Sequence, residues 1–391
     1  MRITYVTQSF LDYRVPVFEE LDRLSNGKLH VIYADEEVYV PKRVAGKISK
    51  VLGDRAIGLS GEKRIGPPVF QGFANRSLRL VYQPGVLKAI KTTKPDVLVG
   101  DGFYQWTSFA LAYRMLHGTP LAVTYERTFH TERHAQWIRT TYRRLAMRFI
   151  DAMAVNGSLS KDYTEWLGMP RDRITTGQMA ADTSGLAKYM ETVLSSEKAI
   201  LTEKWGNPDL TFLVVGRLIE LKGLRELLRS WAEFEREVPG NWRLVLIGCG
   251  PLEDELICIV KDYGLKGVVF EGHVDYDKIA LYYAAADVFL IPTLEDNWSL
   301  VVPEAMACGL PIISSKYNGC YPEMVEPDMN GWLFDPLDNV DTLSVLKRAV
   351  SNRSCLPGMG KRSLEIVSKH SPENAARAIL NACQLASSQH S

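Results

Sequence analysis

No two of the six cysteines form a Cys-x-x-Cys pair, and all six, from Cys249 to Cys383, lie in the second half of the chain. A chain of 391 residues with 46% hydrophobic residues can bury a full core and is no disulfide-stapled miniprotein, and the apolar patterns around most of the cysteines predict reduced packing thiols. No window approaches the roughly 18 apolar residues that a spanning helix needs. The amino terminus, MRITYVTQSF, has one Arg and then too short an apolar stretch for a signal peptide. These absences predict a cytoplasmic chain, with peripheral contact at the inner membrane face as a further option. Net charge is lacking too: 46 Lys+Arg meet 46 Asp+Glu, so the molecule is no generic polyanion binder. Without a recognised reading motif, nucleic acid is excluded as a partner. Sequence repeats and low-complexity tracts are also missing.

What is present is 391 residues, 46% hydrophobic and 24% charged, the balance of a soluble protein with two or three cores. The zero total hides an asymmetry. Residues 1–150 carry 23 Lys+Arg against 13 Asp+Glu, and residues 151–391 carry 23 against 33, which predicts different partners for the two halves. Short β-branched runs alternate with helical patterns almost throughout, the signature of α/β architecture with parallel sheets. Strands are predicted at 3–6, 29–33, 97–100, 121–125 and 152–156, then at 212–215, 243–247, 268–271, 288–292, 312–314 and 332–334. Their near-continuous apolar character fits sheets covered on both faces. Helices are predicted at 106–116, 135–149, 224–235, 252–263, 279–286, 301–308 and 373–386. The expected organisation is a first domain over 1–185, a linker over 186–209, a second domain over 210–371, and a last helix in 372–391 that is free to cross back to the first domain.

Ligands of doubly wound sheets bind outside the carboxyl ends of the strands, so the residues there carry the chemistry. After the strand at 212–215 comes Gly216-Arg217-Leu218-Ile219-Glu220-Leu221-Lys222-Gly223. Gly216 admits close backbone approach, and Arg217 and Lys222 bring two cations to one strand end. A diphosphate is the natural counter-charge; a helix with a surface Arg and Lys is the alternative. After 288–292 comes Glu295-Asp296-Asn297-Trp298-Ser299-Leu300-Val301-Val302-Pro303-Glu304. There Asp296 and Glu304 flank a turn and the opening of a short helix, whose free amides suit an anion. The alternative is that both acids cap and decorate that helix. Between these lies Ile247-Gly248-Cys249-Gly250-Pro251, a third strand-to-helix turn. Asp275-x-Asp277 is a metal-type pattern, but at the start of a helix it reads as capping.

Taken together, the second half resembles the donor domain of the family-four retaining glycosyltransferases (glycosyl transferases group 1). The resemblance rests on Gly216-Arg217…Lys222-Gly223, Gly248-Cys249-Gly250-Pro251-Leu252, Phe270-Glu271-Gly272-His273-Val274, Asp296…Glu304-Ala305-Met306-Ala307-Cys308-Gly309 and Asn330-Gly331-Trp332. It implies the GT-B fold: α/β, with two Rossmann-like doubly wound domains facing across a cleft. It also implies an EC 2.4 transferase that moves a sugar, with retention, from a nucleotide-diphosphate sugar to a glycan, lipid-linked glycan or small molecule. No cofactor or metal is implied, and a UDP-sugar is the favoured co-substrate. By the same resemblance Arg217 and Lys222 would hold the leaving diphosphate and Glu304 the ribose. Asp296, where the family has a longer acid, would address sugar hydroxyls. Gly216, Gly248, Gly250, Val274 and the run Asn297, Trp298, Ser299, Leu300 and Val301 would line the donor.

The first half resembles the family only loosely. Gln8-Ser9-Phe10 stands where a glycine-rich loop is usual. Arg14 is open between meeting an anion and facing solvent. His130 is the candidate functional His after the strand at 121–125, with Glu126 beside it, and a metal site through His130, Glu132 and His134 is a sharper alternative. Asp101, Gly102 and Tyr104 are candidates for the acceptor side. The basic excess concentrates at 42–64, read as a loop, and on the 135–149 helix. There Arg139, Arg143, Arg144 and Arg148 accompany Trp137, Ile138, Leu145 and Phe149. Such a helix suits an anionic membrane surface; a solvated face with the apolar side in the core is the alternative. Two rival functions remain open: a catalytically silent sugar-nucleotide or glycan-binding partner, and a sugar-nucleotide epimerase on the same scaffold.

Overall fold

The computed structural model describes residues 1–65, 80–103 and 106–388. The chain divides into two compact units, residues 1–180 with 372–391, and residues 181–371. The first runs β1 (Ile3–Val6), α1 (Arg14–Leu24), β2 (Leu29–Ala34), α2 (Lys42–Leu52), β3 (Ala56–Leu59), β4 (Lys63–Ile65), β5 (Leu80–Tyr82), α3 (Val86–Thr93), β6 (Val97–Asp101), α4 (Thr107–His117), β7 (Leu121–Tyr125), α5 (Trp137–Met147), β8 (Ala152–Val155), α6 (Ser158–Leu167) and β9 (Ile174–Thr176). The second runs α7 (Thr183–Thr192), α8 (Ser195–Lys204), β10 (Leu210–Val215), α9 (Leu224–Glu237), β11 (Trp242–Ile247), α10 (Glu253–Asp262), β12 (Val268–Gly272), α11 (Tyr276–Ala285), β13 (Val288–Ile291), α12 (Val301–Ala307), β14 (Ile312–Ser315), α13 (Tyr321–Met324), β15 (Gly331–Phe334), α14 (Asn339–Ser351) and α15 (Leu356–Val367). The last helix, α16 (Pro372–Ser387), belongs to the first unit.

Among the described residues the first unit holds a seven-stranded sheet in the order β3-β2-β1-β6-β7-β8-β9, with every pairing parallel. Alternation within each strand supplies two cores. Ile3 and Tyr5 of β1, with Val97 and Val99 of β6, pack beneath α1, α2 and α16, while Val6 and Leu98 face α3, α4, α5 and α6. A strand buried on both sides has no polar face to offer water, which is why these segments read as continuous apolar runs. Helix α16 lies against α1 and strands β6 to β9. Its buried face is Ala375, Ala376, Ile379, Ala382, Cys383 and Ala386, small side chains that let a helix approach a sheet closely. Strands β4 and β5 form a separate antiparallel pair.

In the second unit six parallel strands follow the order β12-β11-β10-β13-β14-β15. Phe212, Val214, Leu244, Leu246, Val288 and Leu290 pack against Trp231 and Phe234 of α9 and against α14. Residues 186–209, expected as a linker, instead form most of α7 and all of α8. These pack within the second unit, α8 on α11, and α7 on α11 and α12. The basic stretch from Lys42, read as a loop, is helix α2, with Val44, Ile48 and Leu52 buried at helical spacing. All six cysteines are free, but Cys249, Cys258 and Cys355 are exposed, so only Cys308, Cys320 and Cys383 are packing thiols.

Candidate active site

Strand order in the second sheet reverses between β10 and β13, and loops leaving such a pair part to either side and open a crevice. Those loops are residues 216–223 and 292–300, and they are stitched to each other. The Thr293 hydroxyl and the Leu294 amide both donate to the Leu221 carbonyl at 2.8 Å. Gly223, at φ +65°, lies so close beneath Pro292 that a Cβ would stand 2.1 Å from its carbonyl oxygen. The β11 loop joins them: the Leu218 amide donates to the Cys249 carbonyl at 3.0 Å, and the Leu252 amide to the Leu218 carbonyl at 3.1 Å. A Cβ on Gly248 would meet the Gly216 carbonyl oxygen at 1.9 Å, and one on Gly250 the Leu218 carbonyl oxygen at 2.3 Å. These two glycines therefore serve the packing of loop on loop. Gly216 differs, because its nearest neighbour to such a Cβ is Lys222 Cε at 3.8 Å. Its backbone stands open beside that lysine.

Lys222 and Asp296, one from each loop, meet across the crevice: Lys222 Nζ lies 2.5 Å from Asp296 Oδ2. The Trp298 amide donates to Asp296 Oδ1 at 3.1 Å, so that expected ligand amide already serves the carboxylate. Burial pushes the Asp296 carboxyl upward, but the Lys222 charge and the hydrogen bonds from Lys222 and the Trp298 amide outweigh it and hold the group below its ordinary value. The Asp296 backbone carbonyl accepts the Gly319 amide at 2.9 Å, tying the site to the loop after β14. Arg217 is exposed on the same loop as Lys222. Glu295 is anchored by its amide to the Leu221 carbonyl at 3.3 Å. Among the expected donor-lining residues, Trp298 and Ser299 are buried, and Asn297, Leu300, Val301 and Val274 are half-buried. Among the described residues the Trp298 indole N–H has no partner.

Glu304 has a different setting. It sits in the seven-residue α12, 8% exposed, and its Oε2 accepts the Tyr283 hydroxyl at 3.0 Å. Burial raises its pKa to about 7; the Tyr283 and Tyr276 hydroxyls oppose that rise and Asp182 adds to it. Sequence reasoning missed this tyrosine pair, although its signal was present: positions 276 and 283 are seven apart, two turns of one helix. Asp275 stands at the N-cap of α11, yet its side chain makes no capping bond.

In the first unit Asp101 ends β6 and accepts the hydroxyls of Thr7 and Thr124, each at 3.0 Å. Arg14 neither faces solvent nor stands open to an anion. It is buried, and its guanidinium donates to the Gln178 carbonyl and side chain at 2.9 and 2.8 Å. Burial disfavours its charge, but Tyr5, Asp101, Tyr13 and Glu126 around it more than compensate. Glu126 and His130 are half-buried in the loop after β7, where the Ser160 hydroxyl donates to the Glu126 carbonyl at 2.9 Å. The metal alternative at His130 loses its acid, because the Glu132 carboxylate is gripped by Arg143 at 2.6 and 3.1 Å. Tyr104 lies outside the described residues. Nothing in the local pattern announces Glu62, which accepts from Gln8 at 2.5 Å, Tyr39 at 2.5 Å and Trp106 at 2.9 Å. Its partners come from three separate loops, so no local spacing announces them.

Residues 196–355 match the family model for Glycosyl transferases group 1, and residues 60–176 match the Glycosyl transferase 4-like domain. The chain belongs to the group 1 glycosyltransferases. Its two α/β units with parallel sheets have the GT-B fold. This group 1 glycosyltransferase is 26% identical to the sulfoquinovosyl transferase SQD2 of Arabidopsis thaliana over 88% of this chain and 66% of that protein. It is 28% identical to the putative colanic acid biosynthesis glycosyltransferase WcaL of Escherichia coli over 47% of each chain. The matches thus span less than two thirds of these curated relatives. The crystal structure of Anabaena HepE in complex with UDP superposes with a TM-score of 0.74 at 17% identity, covering 98% of this chain and 100% of that one.

Proposed function

We propose that this group 1 glycosyltransferase moves a sugar from a nucleotide-diphosphate sugar to a glycan, lipid-linked glycan or small-molecule acceptor, with retention at the anomeric carbon. The observation that carries the reading is the contact of Lys222 with Asp296 at the reversal point of the second sheet, with Arg217 exposed on the same loop. A diphosphate held there meets two cations, and the carboxylate that orients one of them is placed to accept from sugar hydroxyls. Charge that builds on the departing phosphate is met by Arg217 and Lys222, which take the electrostatic part that a metal plays elsewhere, so transfer needs no metal. Retention follows if the departing phosphate itself takes the acceptor's proton on the same face. Glu304, on the helix beyond, addresses the ribose. HepE has been crystallised with UDP, with UDP and glucose, and with UDP-glucose, which supports a UDP-sugar as the first donor to try.

Thermal shift with UDP-, GDP-, ADP- and dTDP-sugars tests the reading, because a ligand of the native state raises its melting point. One nucleotide class is expected to raise it, and NMR of the transfer product is expected to show the donor's anomeric configuration, with turnover unchanged by a chelator. A chain whose melting point responds to none of the four would overturn the proposal.

A further inference from the structure

Residues 127–149 hold six arginines against one acidic residue, Glu132. The usual order of an amphipathic helix is reversed in α5. Arg143, 1% exposed, is bidentate to Glu132 and donates to the Tyr163 hydroxyl at 3.1 Å, and Arg139 is buried as well. With Arg139, Arg143, Ala146 and Met147 filling the inward face, the large apolar side chains point out. Trp137 is 75% exposed, and Ile138, Tyr142, Leu145 and Phe149 are each about half exposed. Spacings of four and three put Ile138, Tyr142 and Leu145 on one stripe of α5 and Trp137, Thr141 and Arg144 on the stripe beside it, and Arg148 and Phe149 stand exposed in the turn that follows. Trp166 of α6 and Phe129 of the loop after β7 extend the surface: both are half exposed with ring centroids 5.5 Å apart, and the Arg144 guanidinium lies 4.3 Å over the Trp166 ring. The acids nearest on α6, Asp162 and Glu165, are both paired to Arg171.

Soluble monomers seldom expose so many adjacent large apolar side chains without a use for them. The mixture identifies the occupant. Nucleic acid would account for Arg144 and Arg148 but has no use for Ile138 and Leu145. An anionic bilayer takes both, since aromatic rings settle at headgroup level and cations meet the phosphates. No helix among the described residues is long and apolar enough to cross a membrane, so the contact is one of lying on the surface. We propose that the outward face of α5, extended by Trp166 and Phe129, docks the first unit onto an anionic lipid surface. The assignment is independent of the donor chemistry, and testing it requires no substrate.

Co-sedimentation of the full chain with vesicles of phosphatidylcholine alone, and of phosphatidylcholine mixed with phosphatidylglycerol, tests it. Pelleting with the mixed vesicles and its weakening by salt are expected. The Arg144→Gln/Arg148→Gln variant is expected to partition about thirtyfold more weakly, from about 1 kcal/mol per cation. The Trp137→Ser/Leu145→Ser variant is expected to lose binding with its circular-dichroism melt unchanged. The proposal fails if the wild-type chain stays in the supernatant, or if both variants pellet like the wild type. It also fails if the lipid-free chain is a dimer that Trp137→Ser/Leu145→Ser dissolves, since a second copy would then cover the face.

Discussion

Lys222 and Glu304 are both charged groups of the candidate site, but their surroundings ask different things of them. Lys222 keeps contact with water, and Asp296, itself not fully buried, keeps the Trp298 amide when the lysine is truncated, so the carboxylate left behind still has a donor. Lys222→Ala should therefore retain the wild-type melting curve while turnover falls by about 10²–10³, the usual loss of one charge-stabilising donor; single-turnover kinetics beside a melt would read both. Glu304 is buried with its pKa raised to about 7, against an ordinary 4.5. Its protonated form is the one the fold favours. That contribution is complete below pH 4.5 and disappears as pH rises through 7, in all about 3 kcal/mol. Glu304→Gln, neutral at every pH and still able to accept from Tyr283, should match the wild type near pH 4.5 and exceed it at pH 8. Denaturant titrations at the two pH values would show the difference, and parallel curves would refute the assignment of that charge.

Whole elements carry the next level of constraint. Gly223 caps the turn into α9 at φ +65° and presses on Pro292. Gly223→Ala brings both an unfavourable backbone angle and a clash with a carbonyl, and should destabilise the protein by roughly 1–3 kcal/mol or more. Because that turn holds loops 216–223 and 292–300 together, turnover should fall alongside the melting temperature. The same strands and loops were the most legible part of the sequence. Strands β10 to β15 agree with the apolar runs to within two residues, because burial on both faces leaves no room for polar interruption. Edge strands β3 and β9 went unseen, being three or four residues long and partly exposed. Lysines disguised α2, whose buried positions are only Val44, Ile48 and Leu52. In α5 the sequence pattern grouped four arginines against the apolar residues, whereas the structure splits them, Arg139 and Arg143 turning inward while Arg144 and Arg148 stay out beside Trp137 and Leu145. That split was made by Glu132, whose carboxylate draws Arg143 into the interior. Lys222 and Asp296 could be read as strand-end charges from their motifs, whereas their direct pairing, and the three-donor grip on Glu62, join residues far apart in the chain and leave no local mark.

For the molecule as a whole, the chain does not divide into a first and a second half. Helix α16 covers one face of the first sheet with Ala375, Ile379, Ala382 and Cys383, all essentially buried, and the Thr175 hydroxyl donates to the Ala378 carbonyl at 2.8 Å. Removing residues 372–391 should uncover that face. Hydrogen exchange is expected to show the amides of β6 to β9 losing protection while those of β10 to β15 keep theirs; equal loss in both sheets would show that the helix supports more than its own unit. The closing position of α16 also sets an order of events during synthesis. Residues 1–180 leave the ribosome while 181–371 are still to be translated, an interval on the order of 10–40 s at typical elongation rates. Throughout it the nascent first unit carries a bare patch shaped for a helix that does not yet exist, so the part of the protein that starts first is the last to finish.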